Sequence, residues 1–147
     1  MNQEFASDDA PLYLACSPRR GGNSDTALSL VRERLGGPLP VFLRDYAVLP
    51  CVSCGHCAKH RLQCPLTERD DSAALFDALQ KASSLVLAAP VYFYHVPAQV
   101  KALMDRSQPW WMLRDRWHEP PACRKSARVL LVAARPGRRR LFEGSLL

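Results

Sequence analysis

The 147-residue sequence has no hydrophobic run long enough to cross a bilayer, since its longest apolar stretch covers only residues 84–94. Its first residues contain no cationic stretch followed by an apolar one, so we expect no secretory signal, no membrane association and a cytoplasmic location. Internal repeats and low-complexity tracts are also absent, which excludes repeat architectures. With 48% hydrophobic and 23% charged residues, the chain is predicted to form a single domain over residues 1–147.

Positive charge is concentrated towards the C-terminus. The net charge is +6, to which residues 101–147 contribute +7 and residues 1–100 contribute −1. Such a basic region could meet an acidic partner, nucleic acid or a phosphorylated cofactor. A solvated arginine-rich surface explains the same pattern, and a nucleic-acid partner is not predicted.

Segments typical of strands alternate with segments typical of helices. Apolar runs at residues 12–16, 41–46, 84–92 and 128–134 predict strands. Asn23 or Ser24 is expected to cap one helix and Ser72 another, and Pro97 is expected in the first turn of a third. This order predicts an α/β fold with a doubly wound parallel sheet, in which ligands bind at the C-terminal ends of the strands. Residues 141–147 resemble a helix that has only begun, so we expect a shortened sheet of four strands without a fifth.

Two loops follow predicted strands and could bind a ligand. Residues 17–26 (SPRRGGNSDT) connect a strand to a helix through a glycine-containing loop, which suits a phosphate group. The segment has neither the Gly-Lys-Ser/Thr of a Walker loop nor the glycine spacing of a dinucleotide fingerprint, and a polar loop that only caps a helix would look the same. Residues 89–97 (APVYFYHVP) are aromatic and suit a flat, hydrogen-bonding ring system, although core or interface packing is the alternative.

Four of the six cysteines are crowded into a long irregular segment at about residues 47–71. Cys51, Cys54, Cys57 and Cys64 have the spacing C-x2-C-x2-C-x6-C. Four thiolates satisfy either a tetrahedral zinc ion or a 4Fe–4S cluster, and free thiols without a metal are the third alternative. The compact first three cysteines favour a cluster over zinc. The remaining two, Cys16 and Cys123, are interpreted as ordinary buried thiols.

Three segments together carry a resemblance to a known family. The segments SPRRGGNSDTAL, CVSCGHCAKHRLQCPLTERDD and APVYFYHVPAQVKALMDR occur in this order within residues 12–134. They resemble the NADPH-dependent FMN reductase family of flavodoxin-like proteins and, more narrowly, its iron–sulfur flavoprotein branch. The resemblance implies a flavodoxin-like domain that binds FMN, with the cysteine-rich segment as an insertion.

The resemblance also implies roles for particular residues. Those that would hold the FMN phosphate are Ser17, Arg19, Asn23 and Ser24, with Thr26 as a further contact. Those that would line the isoalloxazine ring are Pro90, Val91, Tyr92 and Phe93, with Tyr94 and His95 at its edge. The four clustered cysteines would ligate a 4Fe–4S cluster, and residues 134–137 would form a third flavin-facing loop, where Arg135-Pro136 replaces the small residues expected. The basic residues that could attract the extra phosphate of NADPH are Arg135, Arg138, Arg139 and Arg140.

The resulting functional hypothesis is an FMN-dependent oxidoreductase or electron carrier. Reduced nicotinamide would pass a hydride to the flavin, and electrons would move on, through the cluster where it is present, to a small-molecule or protein acceptor. No catalytic side chain is predicted, because the hydride step needs no acid or base from the protein. Relatives of this kind imply a homodimer or homotetramer. The alternatives are a zinc-stabilised interaction module and a degenerate flavodoxin-like protein without activity.

Overall fold

The computed structural model describes residues 9–119 and 125–134. Its elements in chain order are strand β1 (Pro11–Ala15), helix α1 (Asn23–Leu35), strand β2 (Val41–Phe42), helix α2 (Ser72–Lys81), strand β3 (Ser84–Pro90), helix α3 (Ala98–Asp105), helix α4 (Gln108–Asp115) and strand β4 (Ser126–Val132). Over these residues, one sheet of four strands has the order β2-β1-β3-β4, and every neighbouring pair is parallel.

The two central strands form the buried spine of the sheet. β1 pairs with β3 along its whole length, from Pro11 opposite Ser84 to Ala15 opposite Ala88. Almost every residue of β1 is buried, which is why its sequence is apolar without alternation. From β1 the chain continues to β2 on one side, and β3 lies on the other side, so the strand order reverses between β1 and β3.

Helices cover both faces of the sheet. On one face, Leu28 of α1 packs with Tyr13 of β1 and Val86 of β3. On the other face, Leu75 of α2 and Leu103 of α3 belong to a second, larger core cluster around the alternate residues of β1. The strands, their order and the two helical layers confirm the predicted doubly wound, flavodoxin-like α/β fold.

Several local predictions were wrong. The strand predicted over residues 41–46 ends at Phe42, and a 3₁₀ turn, Leu43–Asp45, replaces its second half because Leu43 enters the core. Asn23 is the first residue of α1 rather than its cap, since Gly22 occupies the cap position. Ser72 likewise begins α2 inside the helix, after Asp71.

Helix α4 lies in a segment where no helix was expected. Its sequence, QPWWMLRD, is rich in Trp and Pro and has no clear apolar period. Trp110 packs its ring against Phe76 of α2, with 4.4 Å between the ring centroids, and this tertiary contact holds the short helix in place.

Some sequence predictions fall on residues outside the described part of the chain. These are the buried thiol of Cys123, the arginines at 135 and 138–140, the loop beyond Ala134 and the helix start at 141–147. Over the described residues, no helix has both the length and the apolar character that a bilayer crossing requires.

Candidate functional site

Two loops leave the sheet side by side where the strand order reverses. The backbone N–H of Cys16, just after β1, donates to the carbonyl oxygen of Ala88 in β3 at 2.8 Å. The loop after β1 and the loop after β3 therefore begin next to each other at the C-terminal edge. In open parallel sheets this switch point is where ligands bind.

The first loop, residues 16–22, ends at an uncapped helix. Gly22 occupies the cap position of α1 and carries no side chain, so no side-chain group satisfies the first N–H groups of this 13-residue helix. The Ser17 hydroxyl accepts a hydrogen bond from the Arg19 N–H at 3.2 Å. Ser17 and Ser24 are both buried, whereas Arg19 is exposed. A helix N-terminus without a cap, with hydroxyls at its base and a cation at its rim, suits an anion such as a phosphate.

Asn23 and Thr26 lie on the first turn of the same helix. The Thr26 hydroxyl donates to the carbonyl oxygen of Gly22 at 3.3 Å, which joins it to the first turn. Asn23 is exposed at the start of the helix. The structure thus brings together the five residues predicted for the phosphate, and Thr26 already has a backbone partner.

A buried ion pair that the sequence analysis missed lies under this loop. Arg44, from the 3₁₀ turn after β2, pairs with Asp25 of α1 at 2.9 Å, and the two side chains are only 10% and 11% exposed. Arg44 Nη1 also donates to the carbonyl oxygen of Ser17 at 3.0 Å. The sequence signal for this pair is the charge of Arg44 and Asp45, which interrupts the apolar run at residues 41–46.

The second loop carries a tight aromatic turn. Tyr92 and His95 exchange backbone hydrogen bonds of 2.8 and 2.9 Å. Between them, Phe93 and Tyr94 both have positive φ, at 48° and 64°. Two consecutive positive φ angles are typical of a type I′ turn, which normally requires Asn or Gly and strains bulky residues. Phe93 is completely exposed and Tyr94 is 77% exposed, so core packing does not explain this strain.

Pro90 and Val91 connect this turn to the sheet. Pro90 is the last residue of β3, and the Val91 N–H donates to the carbonyl oxygen of Val132 in β4 at 2.9 Å. Next to the turn lies an open apolar cavity of about 440 Å³, whose walls include Tyr92, Phe93 and His95. Tyr92, Phe93 and His95 therefore share one exposed, largely apolar surface. Tyr94 and His95 line a second apolar cavity of about 400 Å³, and Pro90 and Val91 are half-buried.

The four clustered cysteines line a single cavity of about 240 Å³. All four are free thiols, with Cys51 and Cys54 exposed and Cys57 and Cys64 half-buried. Burial raises the pKa of Cys57, and the negative charge of the other three thiolates raises it further. Four thiols around one cavity form a complete donor set for a cluster or zinc. Nevertheless, the part of the chain that the structure describes contains no group of three or more Cys, His, Asp or Glu side chains arranged to hold a metal ion, so metal binding requires these thiols to converge.

Helices α3 and α4 provide the other wall of this cysteine cavity. Arg106, at the end of α3, and Met112 of α4 face the same cavity as the thiols. Arg61 of the cysteine loop makes a bidentate pair with Glu119, just after α4, with N–O distances of 2.7 and 2.6 Å. This contact raises the pKa of Arg61 and lowers the pKa of Glu119. The cysteine loop therefore has an exposed contact with the segment that follows α4.

Other histidine, tryptophan and cysteine side chains have varied surroundings. His56 and His60 stack on each other with ring centroids 4.1 Å apart, and His56 lines the cysteine cavity. Trp110 is a core residue, whereas Trp111 and Trp117 are exposed. Cys16 is an ordinary buried thiol, as predicted, and burial raises its pKa to about 12.

Comparison with known proteins identifies a family whose profile spans both loops and the cysteine segment. The profile of the family described as NADPH-dependent FMN reductase matches residues 12–142. That match contains both loops, the cysteine segment and all four strands, and the chain belongs to this family.

The chain is also similar to several curated iron–sulfur flavoproteins. It is 37% identical over 95 residues to an iron–sulfur flavoprotein of Methanosarcina thermophila, which covers 62% of this chain and 48% of the relative. It is 37% identical over 100 residues to an iron–sulfur flavoprotein of Methanocaldococcus jannaschii, a match that covers 63% of this chain and 49% of the relative. A third iron–sulfur flavoprotein, from Archaeoglobus fulgidus, is 38% identical over 94 residues, and this match covers 61% of this chain and 46% of the relative. The chain thus spans about half the length of the curated relatives it matches, and no solved structure matches it significantly.

Proposed function

We propose that this chain is an FMN-binding oxidoreductase domain that transfers electrons. The observation that carries the proposal is the adjacency of the uncapped N-terminus of α1 and the exposed aromatic turn after β3, at the switch point between β1 and β3. One loop suits the phosphate and the other suits the flat ring of a single ligand. Membership of the FMN reductase family supports FMN as that ligand.

In this proposal, the residues of the first loop bind the phosphate. The hydroxyls of Ser17 and Ser24 and the first N–H groups of α1 donate hydrogen bonds to its oxygens. Arg19 adds positive charge from the rim. Asn23 and Thr26 complete the first turn of the helix around the phosphate.

The second loop holds and orients the ring. Pro90, Val91, Tyr92 and Phe93 line it with apolar surface and backbone amides, and Tyr94 and His95 lie at its edge. Bound FMN would supply hydride acceptance from NAD(P)H and release of electrons one at a time. The chain itself binds, orients and partly shields the ring, and no side chain is assigned as catalytic acid or base.

The cysteine segment, about residues 47–71, is proposed as an insertion that holds a 4Fe–4S cluster through Cys51, Cys54, Cys57 and Cys64. The shared cavity of the four thiols and the similarity to iron–sulfur flavoproteins support this assignment. A cluster would supply one-electron transfer to a small-molecule or protein acceptor. Residues 1–147 would form one domain, located in the cytoplasm and assembled as a homodimer or homotetramer.

The test is to purify the chain without oxygen and measure its visible spectrum, FMN, iron, acid-labile sulfide and zinc. We expect about one FMN per chain and a broad iron–sulfur absorbance, both bleached by NADPH or NADH. Cys54→Ser is expected to keep the flavin and lose the broad absorbance, because one of four ligands is removed.

Ser53→Ala, in the same loop, is the matched control and should keep both chromophores. A colourless preparation that contains zinc and does not take up added FMN would contradict the proposal in favour of a zinc-stabilised module. A preparation that contains flavin but no iron would support the flavin reductase and contradict the proposed cluster.

A further inference from the structure

We propose that Arg44 is a positioning residue that shapes the phosphate loop and neutralises Asp25, so that the loop accepts a phosphate dianion. The inference rests on the proposed binding of FMN in this loop. Arg44 itself belongs to another element, the 3₁₀ turn that follows β2. The 3₁₀ turn after β2 would therefore contribute to the preference for FMN over riboflavin, which has no phosphate.

The contacts of Arg44 join the two ends of the loop. Nη1 donates to the Ser17 carbonyl oxygen at 3.0 Å, at the start of the loop. Nη1 and Nη2 reach the two Asp25 carboxylate oxygens at 3.2 and 2.9 Å. Asp25 Oδ2 in turn accepts the N–H of Gly21 at 3.0 Å, at the end of the loop. A planar guanidinium makes these parallel contacts, whereas an ammonium could not.

The position of Arg44 is itself fixed by packing. Its guanidinium carbon lies 4.3 Å from the centre of the Phe42 ring, which gives a cation–π contact. The neighbouring Asp45 pairs with Arg20 of the loop at 2.6 Å. The 3₁₀ turn thus holds the phosphate loop at two points, one buried and one exposed.

The charges explain why such a residue is needed. Asp25 lies in the first turn of α1, where a phosphate would bind, and its side chain is only 11% exposed. A buried carboxylate beside a dianion is repulsive unless a cation compensates it. Arg44 supplies that compensation without occupying the phosphate position, and the loop keeps the positive end of the helix dipole for the ligand.

The test is a titration of the apoprotein with FMN and with riboflavin, in which the quenching of flavin fluorescence measures binding. Arg44→Met should weaken FMN binding roughly 10- to 100-fold, because the buried Asp25 carboxylate is left without a counter-ion beside the phosphate. Riboflavin affinity should stay within about twofold, since riboflavin has no phosphate to be repelled. The double variant Asp25→Asn with Arg44→Met should recover most of the lost FMN affinity, because it removes the repulsive charge as well.

Arg34→Met is the matched control, because it removes an exposed arginine from the last turn of the same helix, and FMN affinity should not change. Arg44→Lys is a milder change, because it keeps the positive charge. It should lower the affinity for FMN by less than tenfold and leave the affinity for riboflavin unchanged. If Arg44→Met does not melt cooperatively, and so is not folded, Arg44→Lys is used in its place. The inference would be overturned if Arg44→Met weakened the binding of FMN and riboflavin equally or left FMN binding unchanged. It would also be overturned if the double variant did not recover FMN affinity. Failure of the wild type to bind FMN would overturn the proposed function with it.

Discussion

Arg106 has 1% of its surface exposed, and its guanidinium joins three parts of the chain around the base of the cysteine loop. It pairs with Asp70 at 2.6 Å, donates to the Leu49 carbonyl oxygen at 3.1 Å and donates to the Ser72 hydroxyl at 2.8 Å. Asp70 also accepts the Leu49 N–H at 2.8 Å. The two ends of the loop are therefore tied together by one buried charged network, with α3 as its anchor.

The Asp70 carboxyl has an unusually low pKa. Burial alone would raise it, but hydrogen bonds from Ser72, Arg106 and the Leu49 N–H outweigh burial and lower the pKa to about 2. Because the folded pKa lies below the unfolded one, the ionised network stabilises the fold above about pH 4. That stabilisation, about 2 kcal/mol, is lost as the pH falls from about 4 towards 2.

At the residue scale, Asp70→Asn should lower the free energy of unfolding by roughly 3 kcal/mol at pH 7, because Arg106 stays buried without a counter-ion. The change should also flatten the loss of stability between about pH 4 and pH 2. Urea unfolding across this pH range measures both effects.

Asp105→Asn, which breaks the exposed pair with Lys101 on the same helix, is the control and should cost less than about 1 kcal/mol. An Asp70 variant no less stable than this control would show that the buried network does not hold the loop.

At the element scale, the aromatic turn combines an unfavourable backbone with exposed side chains. Phe93 and Tyr94 occupy left-handed conformations that cost about 1–2 kcal/mol each for such residues. Their rings are exposed at the switch point rather than buried in the core. A turn sequence chosen for stability alone would contain Asn and Gly, so the aromatics are better explained by binding.

Replacing the turn residues by Phe93→Asn and Tyr94→Gly should therefore have opposite effects on stability and binding. The free energy of unfolding of the apoprotein should rise by about 1–2 kcal/mol, because the relieved backbone strain outweighs the extra flexibility that glycine gives the unfolded chain. FMN affinity should fall, because aromatic surface next to the ring is lost. Urea unfolding and FMN titration give the two readouts.

Leu62→Gly is the control for strain, since Leu62 also has a positive φ of 56° but lies in the cysteine loop. It should leave FMN affinity unchanged. If the turn variant binds FMN as the wild type does, Phe93 and Tyr94 do not contact the ring.

At the scale of the whole molecule, a ligand that bridges two loops stabilises the fold by mass action. FMN at about 100 times its dissociation constant should stabilise the chain by about 2.7 kcal/mol, which corresponds to a rise of roughly 5–10 °C in Tm. Differential scanning fluorimetry of apoprotein with and without FMN measures this shift. Riboflavin at the same concentration should give a smaller shift, because it lacks the phosphate, and equal shifts would contradict phosphate binding by the first loop.

Much of the architecture could be predicted from local sequence patterns. Continuous apolar runs predicted β1 and β3, because central strands covered on both faces need apolar side chains throughout. The same pattern predicted β4, although in the described part of the chain β4 lies at the edge of the sheet and most of its residues are exposed. The alternation of strands and helices predicted the parallel sheet. Helix α4 could not be predicted, because its stability depends on the packing of Trp110 against Phe76 rather than on its own periodicity.

The sequence by itself determined the family, the doubly wound sheet and the three motifs, because each depends on residues close together in the chain. Only the tertiary structure decided which distant charges meet. Arg44 pairs with Asp25 across 19 residues, and Arg106 with Asp70 across 36. Nothing local marks these partners, since a buried cation and its carboxylate are brought together only when the sheet and helices have packed.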